Sequence, residues 1–465
     1  MTAQPSHTLV RNSTAHWRES DTRYHLHPFT DYRSLAESGS RIITKAEGIW
    51  LEDSEGRRLL DGMAGLWCVN VGYGRKELAE VAYRQMLELP YYNTFFKTAT
   101  PPSIELSEKL VALTPDGLNH VFYGCTGSDA NDTIVRMVRH YWNLMDKPGK
   151  KTFISRKYAY HGSTMVSASL GGMSGMHAQA DLPLPGFVHV MEPYWYDNGE
   201  PGESLEDFGR RAARALEDKI LELGADQVAA FIGEPIQGAG GVLVPPGSYW
   251  PEVQRICKQH DVLLIADEVI CGFGRTGHWF GSDLLDIKPD LMPIAKGLTS
   301  GYLPLSAVMV GDRVTEGLTE RGGEFTHGYT YSGHPVACAV ALANIEIMER
   351  EKLVERVHDD TGPYLQSKLR ETLDGHPLVG EVRGVGLIGA IELVQDRKTR
   401  RHFEPLGRVG GICRDICFAN DLVMRAVRDA MVFSPPLIIS KDEIDEFVRR
   451  TKHCIDLTAE QPGIV

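Results

Sequence analysis

Short apolar segments alternate with amphipathic helical patterns between about residues 103 and 310, and no other feature constrains the fold as strongly. The segments typical of buried strands lie at residues 120–123, 152–154, 187–190, 228–232, 262–266 and 305–310. Strands that alternate with helices predict a mostly parallel sheet covered by helices on both faces. We therefore predict an α/β fold built around one large sheet domain.

Both ends of the chain have a different pattern. Residues 41–60 predict a short antiparallel strand unit, and the C-terminal part mixes a long helix with further strands and helices. We predict a smaller α+β domain assembled from both chain ends. The predicted boundaries are 1–75 and 336–465 for this domain and 76–335 for the large one, with a loose polar arm at residues 1–20.

Charge and composition exclude several functions. The 49 Lys and Arg against 62 Asp and Glu give a net charge of −13. Nucleic acids and anionic membranes are bound through basic patches, so we expect neither as a partner. The N-terminus has no apolar signal core, and no apolar run approaches the ~20 residues of a membrane span. The sequence contains no Cys-x-x-Cys pair of the kind that binds zinc. We predict a cytoplasmic protein without a metal site.

Residues 384–389 match the Gly-x-Gly-x-x-Gly pattern of dinucleotide sites. Such a site needs the glycines between a strand and a helix, whereas residues 390–394 alternate like a strand. We interpret these glycines as a strand crossing. A nicotinamide-dependent oxidoreductase stays open as a remote alternative.

Residues 124–131 form a turn with Gly and Ser between a predicted strand and an amphipathic helix. The backbone N–H groups at such a helix start bind anions such as phosphate. The same residues suit an ordinary helix cap by Ser or Asp. This segment alone leaves both interpretations open.

Two further positions carry candidate chemistry. The strand at 262–266 ends in Asp267 and Glu268, at the edge where open α/β sheets bind ligands. Because the two are adjacent, their side chains point in opposite directions and are unsuited as an acid–base pair. Lys296 lies in an apolar run, where desolvation lowers the pKa of a lysine and makes it a nucleophile toward a carbonyl. A lysine that reaches solvent from a strand end is the other interpretation.

A phosphate-binding turn, a carboxylate at a strand end and a desolvated lysine together match the needs of pyridoxal phosphate. The lysine binds the aldehyde, and the carboxylate keeps the pyridinium nitrogen protonated so that the ring can withdraw electrons. We therefore predict pyridoxal phosphate as the cofactor.

The motifs resemble those of the class III, fold-type I aminotransferases over residues 25–454. Lys296 follows Asp267 by 29 positions (296 − 267), with the glycine-rich segment 272–277 between them. The chain is most similar to the omega-amine:pyruvate branch, which includes putrescine–pyruvate transaminases. The segments that carry this likeness are residues 27–31, 62–70, 91–96, 233–241 and 330–335.

The resemblance implies a large, mostly parallel, seven-stranded sheet domain and transfer of an amino group to pyruvate, giving alanine and an aldehyde or ketone. The donor is expected to be a primary amine or omega-amino acid, such as putrescine, beta-alanine or an aryl-alkyl amine. The alternatives are 4-aminobutyrate or taurine transaminases, aminomutases and decarboxylases of the same fold.

The resemblance also implies residue roles. Lys296 and Asp267 are catalytic: Lys296 holds the cofactor and moves the proton, and Asp267 binds the ring nitrogen. The other residues expected to bind the cofactor are Gly127, Ser128, Tyr160, His161, Glu234, Val269 and, from a second subunit, Thr330. The residues expected to line the substrate pocket are Phe29, Trp67, Tyr160, Ala239, Arg425 and, from a second subunit, Phe95.

Arg425 is expected to be a mobile arginine that binds the carboxylate of pyruvate and swings away from an amine without one. The shared residues imply a homodimer and leave open whether dimers pair further. Three residues depart from the family pattern. Asp129 replaces a longer Glu, Ile270 favours pyruvate over 2-oxoglutarate, and Arg428 adds a second cation where Gly is common.

Overall fold

The computed structural model describes residues 13–464. Its strands are β1 (Ile43–Glu47), β2 (Trp50–Asp53), β3 (Arg58–Asp61), β4 (His120–Gly124), β5 (Thr152–Arg156), β6 (Phe187–Val190), β7 (Val228–Gly233), β8 (Leu263–Ala266), β9 (Leu291–Ile294), β10 (Ser306–Val310), β11 (Val379–Val385), β12 (Ile388–Leu393), β13 (Leu422–Val423), β14 (Arg425–Val427) and β15 (Ala430–Phe433).

The helices are α1 (Thr14–Tyr24), α2 (Tyr32–Ser38), α3 (Ala64–Trp67), α4 (Lys76–Glu88), α5 (Pro101–Leu113), α6 (Gly127–Leu144), α7 (Met165–Leu170), α8 (Ser174–Ala180), α9 (Trp195–Asn198), α10 (Leu205–Leu223), α11 (Tyr249–Gln259), α12 (Gly281–Leu284), α13 (Asp312–Arg321), α14 (Pro335–Arg350), α15 (Leu353–Arg356), α16 (Gly362–Leu373), α17 (Arg408–Ala419) and α18 (Lys441–Ala459). A 3₁₀ turn covers Lys296–Leu298 and a π turn covers Val357–Thr361.

The large sheet has seven strands in the order β4-β10-β9-β8-β7-β5-β6. All of them run parallel except β10, which is antiparallel to both of its neighbours. Every residue of β7 and β8 is buried, because helices cover both faces. Phe231 and Leu264 pack toward α10 and α11, whereas Ile232 and Ile265 pack toward α6. The predicted mostly parallel sheet is confirmed.

The smaller part of the fold contains two four-stranded sheets. One has the order β1-β2-β3-β13, and β13 pairs in parallel with β3, so residues from both chain ends share a sheet. The other is the antiparallel sheet β11-β12-β15-β14. The predicted α+β unit from both ends is therefore present, while its exact boundaries stay a prediction.

Part of the N-terminal segment is more ordered than the sequence predicts. Residues 14–20 of the predicted loose arm belong to helix α1 (Thr14–Tyr24), and Ser13 caps this helix by accepting a hydrogen bond from the His16 N–H at 3.2 Å. The rest of that arm, residues 1–12, lies outside the described residues. Among residues 13–464, no helix is both long and apolar enough to cross a membrane.

The Gly-x-Gly-x-x-Gly segment lies on a β-hairpin. Gly384 belongs to β11 and Gly389 to β12, and the turn between them includes Gly386 with a φ of 55°. No helix follows the first strand, so no helix N-terminus faces a pyrophosphate. The structure thus removes the support for a nicotinamide site.

Candidate active site

The predicted cofactor residues converge at the carboxyl ends of the parallel strands, where open α/β sheets bind ligands. A cavity of about 430 Å³ opens at this edge. Its lining includes eight of the nine predicted cofactor residues, with Thr330 as the exception. The lining residues are Gly127, Ser128, Asn131, Tyr160, His161, Gly162, Glu234, Asp267, Val269, Ile270 and Lys296.

Asp267 directly follows β8 and is held by a buried network. Its Oδ2 lies 2.7 Å from Nδ1 of His161 and accepts a hydrogen bond from Nδ2 of Asn131 at 2.9 Å. Its Oδ1 accepts a bond from the Val269 N–H at 3.1 Å. The carboxylate is therefore fixed in position by groups from three separate segments.

Glu268 points away from the cavity, as the alternation of side chains predicts. It is fully buried, and its carboxylate accepts hydrogen bonds from the N–H groups of Gly281 and Ser282 at the start of α12. Burial raises the pKa of Glu268 to about 7. Its role is to hold α12, and it does not pair with Asp267.

Lys296 begins the 3₁₀ turn after β9 and has a left-handed φ of 48°. Burial lowers the pKa of Lys296 below its ordinary value of 10.5. The negative charges of Asp267 and Glu234 oppose this shift, and the positive charge of Arg425 adds to it. A non-glycine residue in this conformation is strained, and such strain is typical of functional positions.

Gly297 follows Lys296 because the backbone there leaves no room for a side chain. A Cβ at this position would lie 2.5 Å from Nδ2 of Asn70 and 2.9 Å from Cβ of Phe273. The carbonyl oxygen of Gly297 accepts a hydrogen bond from Nδ2 of Asn344 at 2.9 Å. The lysine turn is thus packed tightly against the rest of the protein.

Helix α6 begins at the cavity. Thr126 is its N-cap, and Asp129 completes a capping box by accepting hydrogen bonds from the N–H groups of Cys125 and Thr126. The N–H groups of Gly127 and Ser128 lie in the first turn, where a helix offers no internal acceptors. The shorter Asp129 therefore fixes the turn, and the helix start remains available for an anion.

A side chain at Gly127 would fill part of this cradle, because its Cβ would lie 3.0 Å from Cγ1 of Val269. Nε2 of His161 is buried without a hydrogen-bond partner among the described residues. Glycine at the helix start, a fixed carboxylate and a lysine with a lowered pKa all border one cavity. This donor set fits pyridoxal phosphate.

Glu234 follows β7 and joins two walls of the cavity. Its Oε1 accepts a hydrogen bond from the Tyr160 N–H at 3.2 Å, and its Oε2 accepts one from the Gly238 N–H at 2.8 Å. It is buried, and burial raises the pKa of Glu234 above its ordinary value. Glu234 therefore positions backbone segments on both sides of the cavity.

Three of the predicted substrate residues lie together. Trp67 and Ala239 are buried in one apolar cluster with Ile270, and Tyr160 packs against that cluster. The segment that carries Trp67 is strained, with φ values of 46° at Ala64 and 57° at Trp67. These three predicted residues therefore lie together within a single chain.

Arg425 lies beside this cluster. Its Cζ is 4.9 Å from the ring centroid of Trp67, and burial lowers the pKa of Arg425 below its ordinary value. Arg428 instead bonds the backbone: its Nη2 donates to the Gly240 carbonyl oxygen at 3.1 Å. The two arginines of the β14–β15 hairpin are therefore held in different ways.

The remaining predicted residues lie outside the cavity of the single chain. Phe29 is 75% exposed. Phe95 packs against Phe96, with ring centroids 6.0 Å apart. Thr330 is exposed, and its carbonyl oxygen accepts a hydrogen bond from the Tyr91 hydroxyl at 2.7 Å. The contribution of Phe29 stays a prediction that the single chain does not support, and those of Phe95 and Thr330 stay predictions that need a second chain.

Sequence reasoning missed three residues of the site. Asn131 lies four residues after Gly127 and therefore on the same face of α6, which is a spacing that could have revealed it. Gly162 lines the cavity, and a Cβ there would lie 2.6 Å from Oγ of Ser128. Asp61 holds the Trp67 segment by accepting bonds from the Met63 and Gly65 N–H groups, and no local pattern indicated this.

One cluster of possible metal ligands occurs among the described residues, away from the cavity. Asp21, His25 and His27 bring their ligand atoms within 4.8 Å of one another. The carboxylate of Asp21 already bonds both histidines, at 3.1 Å to Nδ1 of His25 and 2.8 Å to Nε2 of His27.

Comparison with known protein families matches residues 34–455 to the family described as aminotransferase class-III. The chain is 57% identical to the putrescine–pyruvate aminotransferase of Pseudomonas aeruginosa, covering 97% of this chain and 98% of the relative. It is 46% identical to the diaminobutyrate–2-oxoglutarate transaminase of Halomonas elongata, covering 94% and 95%. The chain therefore belongs to the class III aminotransferases.

Solved structures agree with this assignment. The omega transaminase of Pseudomonas jessenii in complex with PMP has a TM-score of 0.94 and 45% identity, covering 96% of this chain and 99% of the other. An (S)-enantioselective omega-transaminase from Thermomicrobium roseum has a TM-score of 0.93 and 41% identity, covering 96% and 99%. The predicted fold-type I architecture is confirmed.

Reduction of the cofactor-loaded protein with borohydride should attach the cofactor to Lys296 alone, as read by peptide mass spectrometry. Lys150 is the internal control. Burial lowers the pKa of Lys150 to about 8, but its Nζ donates to three backbone carbonyls outside the cavity. Labelling of Lys150, or of any lysine other than Lys296, would refute the site assignment.

The charges around Lys296 predict opposite effects of two substitutions on its titration. Only the neutral amine reacts, so labelling of cofactor-free protein with a small aldehyde and cyanoborohydride should be half-maximal below pH 10.5. Asp267→Asn removes an attractive charge and should lower this midpoint further. Arg425→Ala removes a repulsive charge and should raise it. Shifts of both midpoints in the same direction would contradict the electrostatic account.

Proposed function

We propose that this aminotransferase moves the amino group of a primary amine or omega-amino acid to pyruvate, releasing alanine and an aldehyde or ketone. The observation that carries the proposal is the apolar cluster of Trp67, Ala239 and Ile270 beside the cavity, with Arg425 stacked on Trp67. An apolar wall suits an uncharged amine, and a nearby guanidinium suits a carboxylate acceptor. The 57% identity to a putrescine–pyruvate aminotransferase supports a primary amine as the donor class and pyruvate as the acceptor.

Pyridoxal phosphate supplies an aldehyde that takes up the amino group and a ring that withdraws electrons from the reacting carbon. Gly127 and Ser128 at the start of α6 would bind its phosphate. Asp267, oriented by His161, would bind the ring nitrogen. Tyr160 would stack on one face of the ring and Val269 on the other. Thr330 of a second copy would complete the phosphate site.

Lys296 has two tasks in the proposed reaction. Its amine holds the cofactor between turnovers, and once displaced by the substrate it carries a proton between the substrate carbon and the cofactor. A lysine in bulk water is protonated at neutral pH and suits neither task. Burial lowers the pKa of Lys296 and so increases the fraction of the neutral amine.

Arg425 accounts for two substrates of opposite character in one pocket. Burying the carboxylate of pyruvate without a partner costs several kcal/mol, so a cation must face it. The same cation is unfavourable beside an apolar amine. Arg425 stacks on Trp67 and forms no ion pair with a described carboxylate, so it has no strong bond to break when it moves.

A homodimer is the proposed active unit. Exposed aromatic side chains lie on the two segments that carry Phe95 and Thr330: Tyr92 (52% exposed), Phe96 (88%) and Tyr331 (60%). Tyr91 contacts Tyr331 with ring centroids 5.9 Å apart, so the segments of Phe95 and Thr330 form one surface. Large exposed apolar patches are typical of protein interfaces. The cytoplasmic location predicted from the sequence stays a prediction.

The proposed reaction is tested by incubating the purified enzyme with putrescine, beta-alanine and an aryl-alkyl amine, each with pyruvate or 2-oxoglutarate. Alanine should form with at least one donor, and glutamate should form much more slowly. Lys296→Ala is the inactive control. Release of carbon dioxide without alanine, or transfer to 2-oxoglutarate alone, would refute the proposal.

Arg425→Ala should impair the pyruvate half-reaction far more than the half-reaction with an uncharged aryl-alkyl amine. Loss of the cation that faces the carboxylate should cost about 2–4 kcal/mol, or roughly 30- to 1,000-fold in kcat/KM, for pyruvate. Single-turnover kinetics of each half-reaction measure the two effects separately. Equal losses in both would mean that Arg425 is structural, and an unimpaired pyruvate reaction would move its role to Arg428.

Phe96→Glu should dissociate the dimer, because it places a charge on the exposed aromatic surface. Sedimentation should then show a monomer with roughly 100-fold weaker association, and activity should fall in parallel. Leu221→Glu is the matched control, since Leu221 is 63% exposed on α10, away from this surface. A fully active monomer would exclude shared active sites.

A further inference from the structure

Arg428 adopts a backbone conformation that its side chain disfavours. β14 ends at Val427 and β15 begins at Ala430, and these two residues pair, so residues 428 and 429 form a two-residue hairpin turn. The φ of Arg428 is 54°, in the left-handed region where glycine is the least strained residue. An arginine at this position has a backbone cost that a glycine would not have.

The side chain of Arg428 is fixed on the outer side of the pocket wall. Its Cζ lies 4.1 Å from the ring centroid of Tyr158, and its Nη2 donates to the Gly240 carbonyl oxygen at 3.1 Å. Gly240 follows Ala239, which belongs to the pocket cluster. Tyr158 lies two residues before Tyr160, which lines the cavity. The guanidinium thus lies directly behind two segments that border the substrate.

Arg428 forms no ion pair among the described residues, in contrast to its neighbour Arg383. Arg383 bonds the next carbonyl of the same loop, at Gly241, but it also pairs with Glu381 at 3.0 Å and with Glu392 at 2.9 Å. No carboxylate of the described residues lies within 4 Å of the Arg428 guanidinium.

The nearest acidic residue in sequence, Asp429, is occupied elsewhere. It is buried, and its carboxylate accepts hydrogen bonds from the N–H groups of Gly407 and Gly410 at the start of α17, at 2.8 and 2.7 Å. The Arg428 guanidinium, without an ion-pair partner of its own, therefore lies behind the pocket wall. In a partly desolvated site, such a charge acts on substrate charges over several ångströms.

We propose that Arg428 is a specificity-determining residue whose charge disfavours amine donors with a second ammonium group and favours donors with a distal carboxylate. The inference rests on the proposed amine:pyruvate function. If Arg428 has this role, omega-amino acids are better donors for this enzyme than diamines of the same chain length. Arg428 acts from a fixed position, whereas Arg425 moves to bind the acceptor.

Three donors with the same four-methylene chain test the proposal: putrescine, with a distal ammonium; pentylamine, with a methyl; and 5-aminopentanoate, with a carboxylate. Arg428→Lys keeps the charge. Arg428→Gln keeps a donor for the Gly240 carbonyl but removes the charge. Arg428→Gly removes both and suits the left-handed backbone, so the fold is retained. Each variant is assayed at pH 8 with pyruvate as acceptor.

The Gln and Gly variants should raise the ratio of kcat/KM for putrescine to kcat/KM for pentylamine by about 5- to 10-fold. They should lower the ratio for 5-aminopentanoate to pentylamine by about the same factor. The Lys variant should stay within about twofold of the wild type. Unchanged ratios in the Gln variant would overturn the proposal. A change in the Gly variant alone would also overturn it, because loss of the Gly240 bond would then be the cause.

Equilibrium binding gives a readout that does not depend on turnover. Arg428→Gln should weaken calorimetric binding of glutarate to the loaded enzyme about 5- to 10-fold and leave that of pentanoate within about twofold. Equal effects on both ligands would overturn the proposal. If the proposed function fails, the wild type forms no alanine from any of the three donors, and the glutarate comparison then decides the role of Arg428 by itself.

Discussion

The buried contact between Asp267 and His161 is the interaction on which the rest of the site depends. A carboxylate that is 3% exposed is stable only if its oxygens are bonded, and His161 and Asn131 both bond the same oxygen. These partners come from the segment after β5 and from α6, so the contact fixes both relative to β8. The positions of the helix start, of Tyr160 and of the carboxylate are therefore set together.

Three residues at or near the cavity have strained backbone conformations. Lys296, Trp67 and Arg428 all have left-handed φ values, between 48° and 57°. Each is held by packing or hydrogen bonds from elsewhere in the chain, such as the bonds that Asp61 accepts from the Trp67 segment. Strained residues persist where the surrounding structure determines them, and here they place the lysine, the pocket wall and the fixed cation.

Local patterns predicted the sheet, and they marked the start of α6, Asp267 and Lys296 as candidates, because each lies where an apolar run meets a turn or glycine. The roles of Asp267 and Lys296 came from combining these positions and from the family resemblance. Local patterns were insufficient for Asn131 and Asp61, whose roles depend on segments distant in sequence. Helix α1 was missed because none of its residues is buried, so it has no apolar stripe. The glycines at 384–389 match a dinucleotide-binding motif but lie on a β-hairpin, so the motif alone does not indicate a nucleotide site.

The central claim is that Asp267, oriented by His161 and Asn131, keeps the ring nitrogen of pyridoxal phosphate protonated. The most direct measurement is the ¹⁵N NMR signal of enzyme loaded with cofactor labelled at that nitrogen. The account predicts a protonated nitrogen in the wild type at pH 8 and an unprotonated one in Asp267→Asn. A protonated nitrogen in both proteins, or an unprotonated one in the wild type, would contradict it.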